Sequence, residues 1–129
     1  MAKKKPPKPT EAELAILHVL WDLGKATVRE VQEQLSAERQ TGYTTTLKLM
    51  QIMLKKGWLH RDDSQHAHVY SAAFSRQATQ RRIVRDLMKT VFGGSAQQLV
   101  MQALSAKRST PSELREIRKL LDKLERDQR

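Results

Sequence analysis

No cysteine occurs among the 129 residues. That removes disulfides, thiolate nucleophiles and Cys-based zinc or iron–sulfur sites, and it suits a reducing compartment. Glycine and proline are also scarce, at five and four residues, which disfavours a low-complexity chain and a Gly-rich β-sandwich and leaves helices as the main element. No apolar run approaches the roughly 18 residues of a membrane span. The Lys-rich start leads into Pro6-Pro7 in place of a signal-peptide core, so a cytoplasmic chain without membrane insertion is expected. There is no Gly-rich phosphate loop and no carboxylate pair beside a nucleophile, and the four histidines are scattered. An enzyme is therefore not expected, nor a cofactor.

Positive charge is what the chain has in excess, with a net +10. A polyanion, most often nucleic acid, is the partner such a balance implies. The charge is uneven: residues 1–10 carry +4 from Lys3, Lys4, Lys5 and Lys8, residues 11–74 net −1, residues 75–110 net +6 and residues 111–129 net +1. Within residues 39–61, however, Arg39, Lys48, Lys55, Lys56 and Arg61 occur without a single Asp or Glu. That local block is a sharper pointer than the total.

Residues 1–10 read as a basic, Pro-broken, disordered tail. Thr10 and Glu13 then form a capping box for a first helix that runs to Leu23, with Gly24 as its stop. Thr27 and Glu30 repeat the box for a second helix carrying Val28, Val31 and Leu35. A third helix spans Tyr43 to Lys56 and ends at Gly57. Two short strand-like runs follow, Trp58 to Arg61 and His66 to Tyr70, around an Asp62-Asp63-Ser64-Gln65 turn. Three helices and a hairpin, in that order, predict a mainly α fold with a small β-hairpin wing, a winged helix-turn-helix over residues 11–74. Residues 75–129 read as a helical dimerisation region. There a long helix from Ser75 to Phe92 is broken by Gly93-Gly94, a short helix opens at Ser95, and a last helix opens at Thr110-Pro111. Leu114, Ile117, Leu121 and Leu124 step by three, four and three, an association stripe that joins Leu87, Val91 and Leu99 from the preceding helices. At barely two heptads it is too short for an autonomous coiled coil.

On the third helix, taking ~100° per residue from Thr44, the residues Lys48, Gln51 and Lys55 fall within ~40° of it. Thr46, Leu47, Leu49, Met50, Met53 and Leu54 occupy the opposite arc, from ~140° to ~300°. A core face opposite a Thr-Lys-Gln-Lys stripe suits the major groove, where Gln pairs with adenine and Lys with guanine or phosphate. Tyr43, Thr44 and Thr45 at the helix start can bond phosphates, and Arg61 and His68 from the wing can reach the backbone or minor groove. Trp58, Leu59, Val69 and Tyr70 read as wing core. Two other readings compete. A metal sensor would use His60, His66 and His68, the last two on one strand face with His60 opposite and Asp62 or Asp63 nearby. A non-specific architectural protein would use the Lys tail with Arg76, Arg81, Arg82, Arg85 and Lys89.

Over residues 10–124 the chain resembles the penicillinase-repressor (BlaI/MecI-type) family of winged-helix transcriptional regulators. The residues that carry the resemblance are Thr10-Glu11-Ala12-Glu13, Ile16-Leu17, Leu20-Trp21, Val28-Arg29-Glu30-Val31, Gly42-Tyr43-Thr44-Thr45-Thr46-Leu47, Lys56-Gly57-Trp58-Leu59, His68-Val69-Tyr70 and Phe92-Gly93-Gly94-Ser95. The resemblance implies a homodimer held by the C-terminal helices, repressing genes from an inverted-repeat operator on double-stranded DNA. It further implies release by cleavage in the dimerisation region, set off by a membrane metalloprotease sensor system. The stretch aligned with that region is Leu99 to Ala103, with Met101, Gln102 and Ala103 as the candidate cleavage residues; the best-known members have an Asn-Phe pair there. The Cys-rich C-terminus of the copper-responsive branch is absent.

Overall fold

The computed structural model describes residues 5–37 and 40–129. Lys3, Lys4 and Arg39 from the charge reading lie outside the described residues. The chain divides into two compact units, Met1–Ile83 and Val84–Arg129.

The first unit begins with α1 (Glu11–Leu23), α2 (Val28–Ser36) and α3 (Tyr43–Lys56). Both expected capping boxes are formed. The Thr10 hydroxyl accepts from the Glu13 amide while Glu13 takes the Thr10 amide, and Thr27 and Glu30 do the same. Each box satisfies two amides that a helix start leaves without partners. At the end of α3, Gly57 adopts φ +97° and donates to the carbonyls of Met53 and Leu54. That left-handed stop turns the chain straight into the hairpin.

The hairpin pairs β1 (Leu59–Asp62) with β2 (Val69–Ala72), antiparallel, in the register Leu59↔Ala72, His60↔Ser71, Arg61↔Tyr70 and Asp62↔Val69. The second strand lies later than the sequence predicts, so His66 and His68 sit in the connecting loop and His60 faces Ser71. Burial explains the shift. Tyr70 and Leu59 are both buried, and Tyr70 exchanges both backbone hydrogen bonds with Ala26, at 2.8 and 2.9 Å. This bridge ties the hairpin to the α1–α2 link and leaves the polar run from Asp63 to His68 as loop. A one-residue slip would turn Tyr70 to solvent.

The core joins Ile16, Leu17 and Leu20 of α1 to Val28, Val31 and Leu35 of α2, Met50 and Met53 of α3, and Trp58, Leu59 and Tyr70 of the wing. α1 is the central helix, packing on α2, α3 and β2. This is the mainly α winged helix-turn-helix expected. The unit extends into α4 (Arg76–Thr90): Thr79 is buried, and Arg76 pairs with Asp22 of α1 at 2.6 Å. The Trp21 indole also donates to the Phe74 carbonyl at 3.0 Å.

The described part of the chain before α1, residues 5–10, packs against the first unit, whereas a disordered tail is expected over residues 1–10. Pro6 and Pro9 are buried. The Trp58 indole donates to the Pro7 carbonyl at 2.8 Å, and Arg82 donates to the Pro6 carbonyl. Proline has little conformational freedom to lose on ordering, and these two donors fix the strap from side chains far along the chain.

The second unit holds the end of α4, then α5 (Ala96–Ala106) and α6 (Pro111–Asp127). α4 stops at Thr90 rather than Phe92 because Gly93 and Gly94 take positive φ, +57° and +85°, with the Gly94 amide returning to the Met88 carbonyl at 2.8 Å. Neither α5 nor α6 has a buried residue. Among the described residues no helix is long and apolar enough to cross a membrane.

Candidate nucleic-acid interface

α3 is set in place at both ends. At its start, Gly42 is the N-cap and no side chain caps the helix. The Thr46 hydroxyl instead turns inward and donates to the Gly42 carbonyl at 3.0 Å. Thr44 and Thr45 are therefore not consumed as caps, and both lie exposed in the first turn, where the amides and the positive end of the helix dipole favour an anion. The turn before α3 is held by Gln32, whose side-chain amide donates to the Thr41 carbonyl at 3.2 Å and to the Ser36 hydroxyl at 2.8 Å. The Arg29 guanidinium lies 5.5 Å from the centre of the Tyr43 ring, placing a cation beside the exposed Tyr43.

At its C-terminal end α3 is tied to the start of α1. Glu13 is only 1% exposed. Its carboxylate accepts from the Thr10 amide at 2.8 Å and from the Lys56 ammonium at 3.0 Å. Burial alone would raise its pKa, but the Thr10 amide and the Lys56 charge together outweigh that cost and hold the carboxyl below its ordinary value. A buried carboxylate thus stays ionised and sets where the last turn of α3 lies. Nothing in the local sequence marks Lys56 for this role; only the packing of α1 on α3 brings the two together.

Between these anchors the helix is two-faced as expected. Thr46, Met50 and Met53 are buried, and Leu47, Leu49 and Leu54 half-buried. Thr44, Thr45, Lys48, Gln51 and Lys55 are exposed, together with Ile52 on the boundary. The stripe holds two cations, an amide and two hydroxyls, with no carboxylate among them, so it can donate to base edges and neutralise phosphates at once.

The wing residues are arranged differently. Arg61 and His68 both bind one carboxylate: the Asp63 Oδ1 atom takes Arg61 Nε at 2.7 Å and His68 Nδ1 at 2.8 Å. The Tyr70 hydroxyl and then Asp63 hold the Arg61 proton more firmly than usual. Asp62 is pulled below its ordinary pKa by Ser64, whose amide it accepts at 2.9 Å. Arg61 and His68 are thus brought together on one carboxylate oxygen of the wing loop. The three histidines of the metal reading are not brought together as that reading needs, and among the described residues no group of three His, Asp or Glu side chains could hold a metal ion.

Of the α4 cations, Arg76 is engaged by Asp22 and the Trp21 ring, and Arg82 by Pro6 and the Trp58 ring, which its guanidinium overlies at 5.4 Å. These two are engaged within the first unit, whereas the architectural reading uses them together with Arg81, Arg85 and Lys89. In the second unit, Val91, Leu114, Leu121 and Leu124 are exposed and Leu87, Leu99 and Ile117 half-buried, and Met101, Gln102 and Ala103 are exposed on α5.

Two Mycobacterium tuberculosis proteins from different strains, both described as transcriptional regulator BlaI, are 34% identical to this chain over 67 residues, 51% of this chain and 49% of theirs. The chain thus spans about half the length of the curated relatives it matches. Among solved structures, the solution structure of the DNA-binding domain of the repressor BlaI matches with a TM-score of 0.51 and 25% identity, over 58% of this chain and 90% of that one. The Bacillus licheniformis BlaI monomeric form, solved in complex with the blaP half-operator, matches with a TM-score of 0.50 and 25% identity, over 58% and 92%. The family model described as penicillinase repressor matches residues 9–123, almost the whole chain, including the capping boxes, the α3 stripe, the wing and the exposed C-terminal helices. The chain belongs to the penicillinase-repressor family.

Proposed function

We propose that this chain is a DNA-binding transcriptional repressor that acts as a homodimer on an inverted-repeat operator. The observation that carries the reading is the exposed stripe of Thr44, Lys48, Gln51 and Lys55 on a helix anchored at both ends. Tyr43 and Thr45 add contacts at the helix start, and Arg61 and His68 add them from the wing. In this reading Gln51 reads a base, and Lys48 and Lys55 bond guanine or phosphate. A structurally similar repressor described in complex with a half-operator supports the choice of double-stranded DNA.

The dimer part rests on apolar surface. Val91 is 65% exposed, and Leu114, Leu121 and Leu124 between 42% and 51%, more apolar surface than a helical region leaves to water without a partner. Leu87, Leu99 and Ile117 join the same interface, and two-fold pairing through it presents two reading helices to two half-sites. Release by a membrane metalloprotease sensor system, with cleavage near Met101, Gln102 and Ala103, belongs to the same proposal, and their exposure supports it.

The test is Gln51→Ala, titrated by fluorescence anisotropy onto operator and onto random duplex. Loss of a base contact costs about 1–3 kcal/mol on the operator alone. Equal weakening on both duplexes would contradict a reading role for α3.

A further inference from the structure

Outside the α3 stripe, the described part of the N-terminal strap is a basic segment held against the first unit by side chains from far along the chain. Its burial repeats every three residues: Pro6 and Pro9 are buried, while Lys5 and Lys8 are exposed. A proline-rich extended chain turns once in about three residues, so residues three apart share an edge. Pro6 and Pro9 form the seated edge and Lys5 and Lys8 a free one. The seat is built from distant parts of the chain. Trp58, one residue beyond the Gly57 stop of α3, donates to the Pro7 carbonyl at 2.8 Å. Arg82 donates to the Pro6 carbonyl and lies 5.4 Å over the Trp58 ring, while Phe74 meets that ring edge-on at 5.6 Å. Two charged or aromatic side chains are thus spent on holding two proline carbonyls. The buried carboxylate of Glu13 is already committed to Lys56 and Thr10. Residues 1–10 contain no acid of their own.

We propose that the strap from Lys5 to Pro9 is a second phosphate-binding element, clamped by Trp58 and Arg82 so that Lys5 and Lys8 meet the DNA backbone at a fixed position beside the C-terminal end of α3. The proposal rests on the DNA-binding reading above. Because the backbone that carries the lysines is held, its ordering cost is met during folding, and each phosphate they neutralise releases a counterion. The strap adds affinity on any sequence and leaves base discrimination to α3.

The experiment measures the salt dependence of binding to random duplex and to operator for the full chain. Lys5→Gln with Lys8→Gln, both at exposed positions, is expected to lower the slope of log K against log salt by about 1.8, at about 0.9 for each phosphate contact. The ratio of operator to random affinity should not change. An unchanged slope overturns the proposal. A second variant, Trp58→Phe, keeps most of the ring but removes the donor to Pro7, and a thermal melt checks that it is folded. Hydroxyl-radical footprinting then separates a clamped strap from a loose basic arm. The wild type should protect discrete sugars that the Lys variant exposes, and Trp58→Phe should blur or lose the same protection. A diffuse wild-type pattern, or a folded Trp58→Phe with the wild-type footprint, overturns the clamp. If the wild type shows no preference for operator over random duplex, sequence-specific reading fails, while the slopes on random duplex still judge the strap.

Discussion

Replacing Glu13 by Ala isolates what the link between α1 and α3 contributes. The change removes the acceptor for the Thr10 amide, half of a capping box, which costs about 1 kcal/mol. It also strips Lys56 of its partner. A charge-assisted hydrogen bond contributes about 1.5–3 kcal/mol when well shielded. Lys56 is 31% exposed against 2% for the Glu13 side chain, so water recovers part of that loss and about 1–2 kcal/mol is the fair share. The total of about 2–3 kcal/mol corresponds to a fall in Tm of roughly 10–20 °C for a unit of this size. An internal control exists in Glu30→Ala, which breaks the same box at 2.9 and 3.2 Å in an exposed setting. It is expected to cost about 1 kcal/mol or less. Calorimetry on both variants decides the matter: equal losses would show that the Lys56 contact contributes nothing and that only the cap matters. The acid limb gives a second check. Because the Glu13 carboxyl is held below its ordinary 4.5, its contribution is fully present above that value and is lost as pH falls through the lower folded-state value. The stability gap between wild type and Glu13→Gln should therefore be flat near neutrality and close in acid. A gap that widened below pH 4.5 would have the wrong sign.

Lys55→Ala should weaken binding to operator and random DNA alike and lower the salt slope by about 0.9, read by anisotropy at several salt concentrations; a loss confined to the operator would make Lys55 a base reader. Gly57→Ala places a Cβ at φ +97° with nothing within 4 Å of it, so the cost is backbone strain alone, about 1 kcal/mol, and a melt unchanged from wild type would count against a required left-handed stop. Ile117→Asp combined with Leu121→Asp buries two carboxylates in the proposed interface and should yield monomers with much weaker operator binding. An intact dimer in sedimentation equilibrium would remove that interface.

The elements were legible in the sequence because each carries its own local signal. Thr10 with Glu13 and Thr27 with Glu30 announce helix starts, and both boxes form. Gly24, Gly57 and Gly93-Gly94 announce stops, and all take positive φ. The two-faced pattern of α3 was legible for the same reason, since a 3.6-residue period is a property of one helix. The wing was legible only as a hairpin. Its register depends on Tyr70 meeting Ala26, 44 positions away in sequence, and the expected strand over His66 to Tyr70 gave way to Val69–Ala72.

Charge was where sequence and tertiary structure parted most. Composition alone establishes that the chain is basic, and periodicity that one helix carries an acid-free polar stripe. Which cations stand free is a matter of who sits beside them. Packing spends Lys56 on Glu13, Arg76 on Asp22 and Arg82 on the Pro6 carbonyl, and sets Arg61 beside Asp63. None of the first three partnerships is local: two helices must pack, or a strap must seat, before they exist. The period of a helix is written in adjacent residues, but the field at its surface is summed over neighbours that only the folded chain brings within reach.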